Sequence, residues 1–192
     1  MKIIDITQKL FTCRVWPGDT PPTYKRVKSI EHDKCNVTDI NLCVHNGTHV
    51  DAPNHFIENG KALHELDLSI FYGECTVVEF KGIIGENEIA EVLAQCKERL
   101  LLKGKCELSD NAAVLIADSH IRLIGVENQS VGNADDPLKI HAVLLEKGII
   151  PLEGLVLSDV TPGDYVLSAL PLNLEGSDGS PVRAVLIDYG TN

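Results

Sequence analysis

A chain of 192 residues, 44 % hydrophobic but only 5 % aromatic, is long enough to bury an ordinary core, and one domain over residues 1–192 is expected. Its formal net charge of −11 argues against nucleic acid or an anionic membrane as partner, because both select a basic footprint. The expected partner is a small molecule.

The opening Met1-Lys2-Ile3-Ile4-Asp5 meets an acid too early for a signal peptide. No run approaches the roughly eighteen apolar residues that would span a bilayer, so a cytoplasmic location is expected. Ile3 to Thr7 reads as a first strand. The loop Arg14 to Pro22 follows, and its prolines and Gly18 enforce irregular backbone around Trp16, the sole tryptophan. A lone Trp is commonly core, but a rigid aromatic on such a loop is also a platform for a flat ligand. Tyr24 to His32 and Val37 to Val44 read as strands joined by the polar turn Asp33-Lys34-Cys35-Asn36.

The second of these strands delivers the chain into His45-Asn46-Gly47-Thr48-His49-Val50-Asp51-Ala52-Pro53-Asn54-His55. Neutral imidazole nitrogen and carboxylate oxygen are the ligands that cations of borderline softness such as zinc accept. Gly47, the β-branched Thr48 and Val50, and Pro53 disfavour a helix here, so the segment should be extended or looped. In an extended chain, side chains alternate with period two. His45, His49, Asp51 and His55 would then point one way, continuing a polar face with Asp39, Asn41 and Cys43 while Ile40, Leu42 and Val44 bury.

Asn59-Gly60 marks a turn, and Cys75 to Phe80 a short buried strand. The spacing of Ile89, Val92, Leu93 and Cys96 predicts a helix over Glu86 to Arg99. Ser109 suits the N-cap of a second helix reaching Ser119, and Ile121 to Val126 is another strand. A third helix, Pro137 to Lys147, puts Leu138, His141, Ala142 and Leu145 on one inward stripe. A lone inward His is commonly a satisfied core residue. Glu153, within the apolar run 149–157, must find a cation, a metal or a hydrogen-bond donor if buried. The last strands are Asp164 to Leu172 and Val182 to Tyr189, and the whole mixture is α/β or α+β. The cysteines 13, 35, 43, 75, 96 and 106 form no C-x-x-C pair and read as free thiols of a reducing cytosol. Cys43, on the polar face, is the exception to watch. His32, His64 and His120 read as ordinary histidines.

The pattern His-x-Gly-Thr-His-x-Asp-x-Pro-x-His resembles that of the cyclase-like metal hydrolases, which include the bacterial arylformamidases that act on formylkynurenine. The resemblance implies that His45, His49 and Asp51 bind a first divalent ion and that Asp51 bridges to a second. His55 would be the proton donor and acceptor. It also implies that His141 and Glu153 complete the second site and that Trp16, in Trp16-Pro17-Gly18-Asp19, contacts the aryl substrate. Leu152-Glu153-Gly154-Leu155, Gly163-Asp164-Tyr165, Ala169-Leu170-Pro171-Leu172 and Asp178 to Ala184 are similar to family segments as well, whereas Glu127-Asn128 departs from the usual Asp and small residue.

The implied fold is a single β/β/α, swivelling-type domain, assembled as a homodimer or higher homo-oligomer. The implied cofactors are two divalent ions per chain, zinc or else manganese, and the implied reaction is hydrolysis of an aryl formamide. Alternatives are a cyclic-amide hydrolase on the same scaffold, acting for example on an isatin-like lactam, or a non-catalytic metal-binding protein. The absence of a Gly-x-Ser-x-Gly elbow argues against a serine-nucleophile route.

Overall fold

The computed structural model describes residues 1–132 and 136–190. In chain order its elements are β1 (Lys2–Asp5), β2 (Thr23–Lys28), α1 (Ile30–Asp33), β3 (Val37–Asn41), β4 (His49–Asp51), β5 (Tyr72–Glu79), β6 (Gly82–Ile84) and α2 (Glu86–Leu93). They continue with β7 (Arg99–Lys103), β8 (Cys106–Leu108), α3 (Asp110–Ala117), β9 (Leu123–Val126), α4 (Pro137–Glu146), β10 (Ile150–Glu153), β11 (Gly163–Ser168), β12 (Gly179–Pro181) and β13 (Val185–Asp188).

Nine strands form one sheet, ordered β1-β13-β11-β5-β7-β9-β10-β4-β12. Its centre, β5-β7-β9-β10, is parallel, and successive crossovers carry α2, α3 and α4. Short two-stranded pieces, β2 with β3 and β6 with β8, stand outside it. Alternation along the central strands divides the interior in two. Leu100, Leu102, Ile124 and Val126 pack against Ile89, Ile116, Ile140 and Leu144 of the helices. Leu101 and Leu123 point the other way, into a core with Val50, Leu152, Leu155, Leu167 and Leu186. That second core lies inside the curl of the sheet: Ile6 donates to the Ala184 carbonyl while Val156 donates to Ile6, and Thr7 bridges to Leu155. The result is the mixed α/β, β/β/α arrangement that the resemblance implied.

Several local expectations are corrected. The strand expected over Tyr24 to His32 stops at Lys28, because the Asp33 carboxylate accepts from Ser29 N at 2.9 Å and Asn36 Oδ1 accepts from Ile30 N at 3.1 Å, closing the turn α1. The strand expected to reach Val44 ends at Asn41, and a turn held by Asn46 Oδ1 on Cys43 N, 2.9 Å, follows. Ile40, expected to bury, is 59 % exposed. The helix predicted to run to Arg99 ends at Leu93, and Arg99–Lys103 is strand β7. A strand buried on both faces is a continuous apolar run with no alternation, so Leu100-Leu101-Leu102 carries no signal that separates it from helix. The helix after Ser109 is as expected, with Ser109 Oγ accepting from Ala112 N at 3.2 Å. In α4, His141 and Leu145 are buried as predicted, but Leu138 is 60 % exposed.

Candidate metal centre

The cluster is built where β4 enters the sheet between β10 and β12. The antiparallel register sets Glu153 directly opposite His49 and Gly179 opposite Asp51. His49 and Asp51 share a face of β4, as period two requires. His45 arrives differently. It lies in the turn before β4, and Gly47, at φ 70°, reverses the chain in the left-handed region that suits glycine. The common parity of His45 with His49 and Asp51 is therefore a coincidence of numbering. Thr48 anchors this turn, its hydroxyl donating to the Gly154 carbonyl at 2.6 Å and accepting from Gln8 N at 2.9 Å.

Asp51 Oδ1 faces His45 Nδ1 at 3.0 Å and His49 Nε2 at 3.5 Å, while its Oδ2 faces His141 Nε2 at 3.4 Å. Glu153 faces His49 Nε2 at 3.3 Å and His141 Nε2 at 3.0 Å. Ligand atoms lie within 4.8 Å of one another in three sets: the half-buried His45-His55-Asp178, and two that reach into the interior, His45-His49-Asp51 and Asp51-His141-Glu153. Asp51 is common to the last two. His49, Asp51, His141 and Glu153 are all buried. Among the described residues Asp51 Oδ2 has no well-formed hydrogen bond and faces only the His141 ring, a place where a buried carboxylate needs a cation, either the imidazolium or a metal. His49 Nδ1 lies 3.0 Å from the Gly47 carbonyl, so that nitrogen carries a proton and Nε2 is the one that would give its lone pair to a metal.

The electrostatics agree with this donor set. Burial disfavours charge on His141, but Asp51 and Glu153 outweigh it and raise its pKa to about 10. Burial likewise opposes charge on His45, and Asp51 with Asp178 raises it to about 9. His49 is raised too, against its burial, by Glu153 and Asp51. Protons on these rings balance two buried carboxylates, and divalent cations would replace those protons. The residues present fit divalent metal. His55 differs: burial lowers its pKa, and the pull of Asp51 and Asp178 toward the charged form, opposed by His45 and His141, does not overcome it.

His55 sits at the end of a single 3₁₀ turn, Pro53–His55, stacked on His45 with ring centroids 4.0 Å apart. It faces a cavity of about 200 Å³ that Trp16, Asp19, His49 and His141 also line. Trp16, 43 % exposed, is thus on the cavity rather than in the core. A larger open cavity of about 740 Å³, beside Lys105, Glu127 and Val156, contains none of the clustered histidines. There the unusual Glu127 is structural, its carboxylate accepting from Gly104 N at 2.7 Å and Leu157 N at 2.8 Å. Cys43 is half-buried outside the catalytic-sized cavity, and burial pushes its thiol up, away from reactivity. His32 and His120 lie outside the cluster as expected, and His64 acts only as acceptor for Gly176 N at 3.1 Å. Sequence reasoning missed Asp178, whose carboxylate is 3.0 Å from His45 Nε2. The only signal was its place in the Asp178 to Ala184 segment.

A curled sheet backed by helices on one face, with histidines and carboxylates gathered at one edge of its parallel centre, defines a chain suited to hold a divalent cation beside a small cavity. It belongs to the cyclase family: the family model described as putative cyclase matches residues 4–100, and relatives align over nearly the whole chain. Kynurenine formamidase of Bacillus thuringiensis subsp. konkukian (strain 97-27) is 40 % identical over 95 % of this chain and 96 % of its own. A solved chain described as a potential metal-dependent hydrolase with cyclase activity superposes with a TM-score of 0.83 at 28 % identity, over 96 % of both chains. Isatin hydrolase A from Labrenzia aggregata shares the fold, with a TM-score of 0.85 at 21 % identity over 96 % of this chain and 93 % of its own.

Proposed function

We propose that this chain, acting as one domain over residues 1–192, hydrolyses an aryl formamide, N-formyl-L-kynurenine, to the free amine and formate. The observation that carries the reading is the pair of ligand sets sharing Asp51 beside a cavity lined by His55 and Trp16. The 40 % identity to a kynurenine formamidase directs it to a formamide rather than a lactam. His45, His49 and Asp51 would hold one ion, and Asp51, His141 and Glu153 a second, zinc or else manganese. Such ions supply Lewis acidity, which polarises a carbonyl and makes water a better acid.

The chain's own groups do the rest. His55, neutral near pH 7 because burial lowers its pKa, takes a proton from the attacking water on Nε2, the nitrogen turned away from Asp178. It returns that proton to the departing aryl nitrogen, which leaves as an amine. Trp16 offers a flat face to the aryl ring, and the small cavity limits the water around the reacting carbonyl.

The assembly we propose is a homodimer. Its support is the hairpin β2–β3, exposed along both strands although it carries Tyr24, Val27, Val37 and Ile40. Among the described residues no helix is long and apolar enough to cross a membrane. Six free cysteines suit a reducing compartment, and we place the chain in the cytoplasm.

The test is turnover of N-formyl-L-kynurenine, with isatin alongside, by zinc-loaded and chelator-stripped protein. Formylkynurenine hydrolysis that disappears on stripping and returns with zinc supports the reading. Equal rates with and without metal, or hydrolysis of isatin alone, overturns it.

A further inference from the structure

Among the groups outside the two ligand sets that share Asp51, Asp178 is the one that reaches into them. Its Oδ2 lies 3.0 Å from His45 Nε2 and 3.4 Å from His55 Nδ1, so one carboxylate faces two stacked imidazoles. His45 turns its other nitrogen, Nδ1, to Asp51 at 3.0 Å. One ring is thus held between a carboxylate inside the cluster and a carboxylate outside it.

The local backbone is built for this contact. Asp178 C=O accepts from Ala52 N at 2.8 Å, tying the residue to the end of β4, and Leu63 N donates to Ser177 C=O at 2.9 Å. Ser177 Oγ donates to Gly179 C=O at 2.7 Å, closing the turn around Asp178. Gly179 then passes so close to His45 that a Cβ there would stand 2.8 Å from Cε1 of the ring and 2.8 Å from the Val50 carbonyl. Only a residue without a side chain lets the Asp178 segment lie against the imidazole.

An imidazole that ligates through one nitrogen is fixed in tautomer and direction by what its other N–H meets, and a carboxylate is the strongest such partner. From this geometry we propose that Asp178 is a positioning residue: it accepts the Nε2 proton of His45, which leaves Nδ1 as the ligand atom, and it holds the facing edge of His55 toward the cavity. The proposal rests on the metal-site reading above for its consequence, though not for the hydrogen bond itself.

The experiment compares wild type with Asp178→Asn and Asp178→Ala by zinc affinity in chelator competition, by long-range proton–nitrogen NMR of the histidine rings with and without zinc, and by the melting temperature of the metal-free chains. In wild type, His45 should carry a proton on Nε2 in both states, joined by one on Nδ1 only without zinc, and show Nδ1 as the zinc-bound nitrogen. Asp178→Ala should bind zinc about 10–100-fold more weakly, the range that outer partners of ligating histidines command. Asp178→Asn, whose amide oxygen still accepts, should lose less, and the metal-free melting temperatures should drop only slightly, by the share of the His45 charge that Asp178 stabilises. With zinc present, Asp178→Ala should lower kcat for the formamide while leaving KM near the wild-type value. If zinc fails to bind wild type, the metal reading falls while the ring spectra still decide the hydrogen bond. Wild-type zinc affinity in Asp178→Ala, or a zinc-bound Nε2 on His45, overturns the proposal.

Discussion

His55 is the imidazole of the cluster whose pKa is lowered, by its burial first, and this separates its role from that of its neighbours. His55→Ala should keep fold and metal content while losing roughly 10²–10⁴ in kcat, the usual worth of a positioned acid and base. Metal analysis alongside kinetics checks both halves, and wild-type turnover would assign the proton to another group. The rings proposed as ligands make a different prediction. His45 and His141 have folded pKa values of about 9 and 10 against an ordinary 6.5, so the stability they contribute to the metal-free chain is whole below pH 6.5. It fades as pH climbs through 9 and 10. Melting temperatures of stripped protein should therefore fall across that alkaline window, whereas zinc-loaded protein, whose rings have given up their ligand-side protons, should hold its value. Trp16→Ala should raise KM for aryl formamides, by the equivalent of about 0.5–1.5 kcal/mol beyond area burial, and spare small formamides that do not reach the indole. Equal KM for both substrate sizes would remove Trp16 from the binding surface.

At the scale of elements, what the sequence shows and what it hides divide along physical lines. His49 and Asp51 were legible because a short strand imposes period two and both residues obey it. His141 was legible as an inward residue of α4 by its helical stripe, and it meets Glu153 where α4 packs on β10, but the contact of Glu153 with His49 was not legible, since it comes only through the pairing of β10 with β4. Long-range register leaves no local trace. Strand β7 was invisible for the opposite reason, since uniform burial erases alternation, and Asp178 was invisible because a lone acid in a turn looks like any solvated loop residue. One element-level device is testable. Gly154, at φ 69°, follows Glu153 and passes so close to Gly47 that an added Cβ would collide with the Gly47 carbonyl oxygen. Gly154→Ala should lose at least about 1–3 kcal/mol of stability through left-handed strain, and should weaken zinc binding by moving both turns. Urea unfolding with a zinc titration measures the two losses, and unchanged values would show that the backbone relaxes there.

At the scale of the molecule, the outlier is the β2–β3 hairpin, where an alternating pattern predicted burial and the single chain provides none. Tyr24 and Ile40, 62 % and 59 % exposed, lie directly across from each other in its register. The double variant Tyr24→Asp with Ile40→Asp should leave the melting of the folded unit nearly unchanged and shift mass in solution from dimer to monomer. Light scattering across a concentration series reads this, and a wild-type chain that is monomeric at every concentration would count against the dimer. The near-closure of the sheet has its own consequence for the order in which the protein comes to exist. During synthesis His45, His49 and Asp51 leave the ribosome first, at a stage when β10 and α4 have not been made. The first half of the cluster then has no strand beside it. Only when Glu153 pairs across from His49, and the segment after it meets Ile6 and Thr7, do the two halves share Asp51. Joining β10 to β4 and completing the ligand cage are therefore one event, ahead of β11, β12 and β13, and a nascent chain stopped before β10 lacks the second half of the cage.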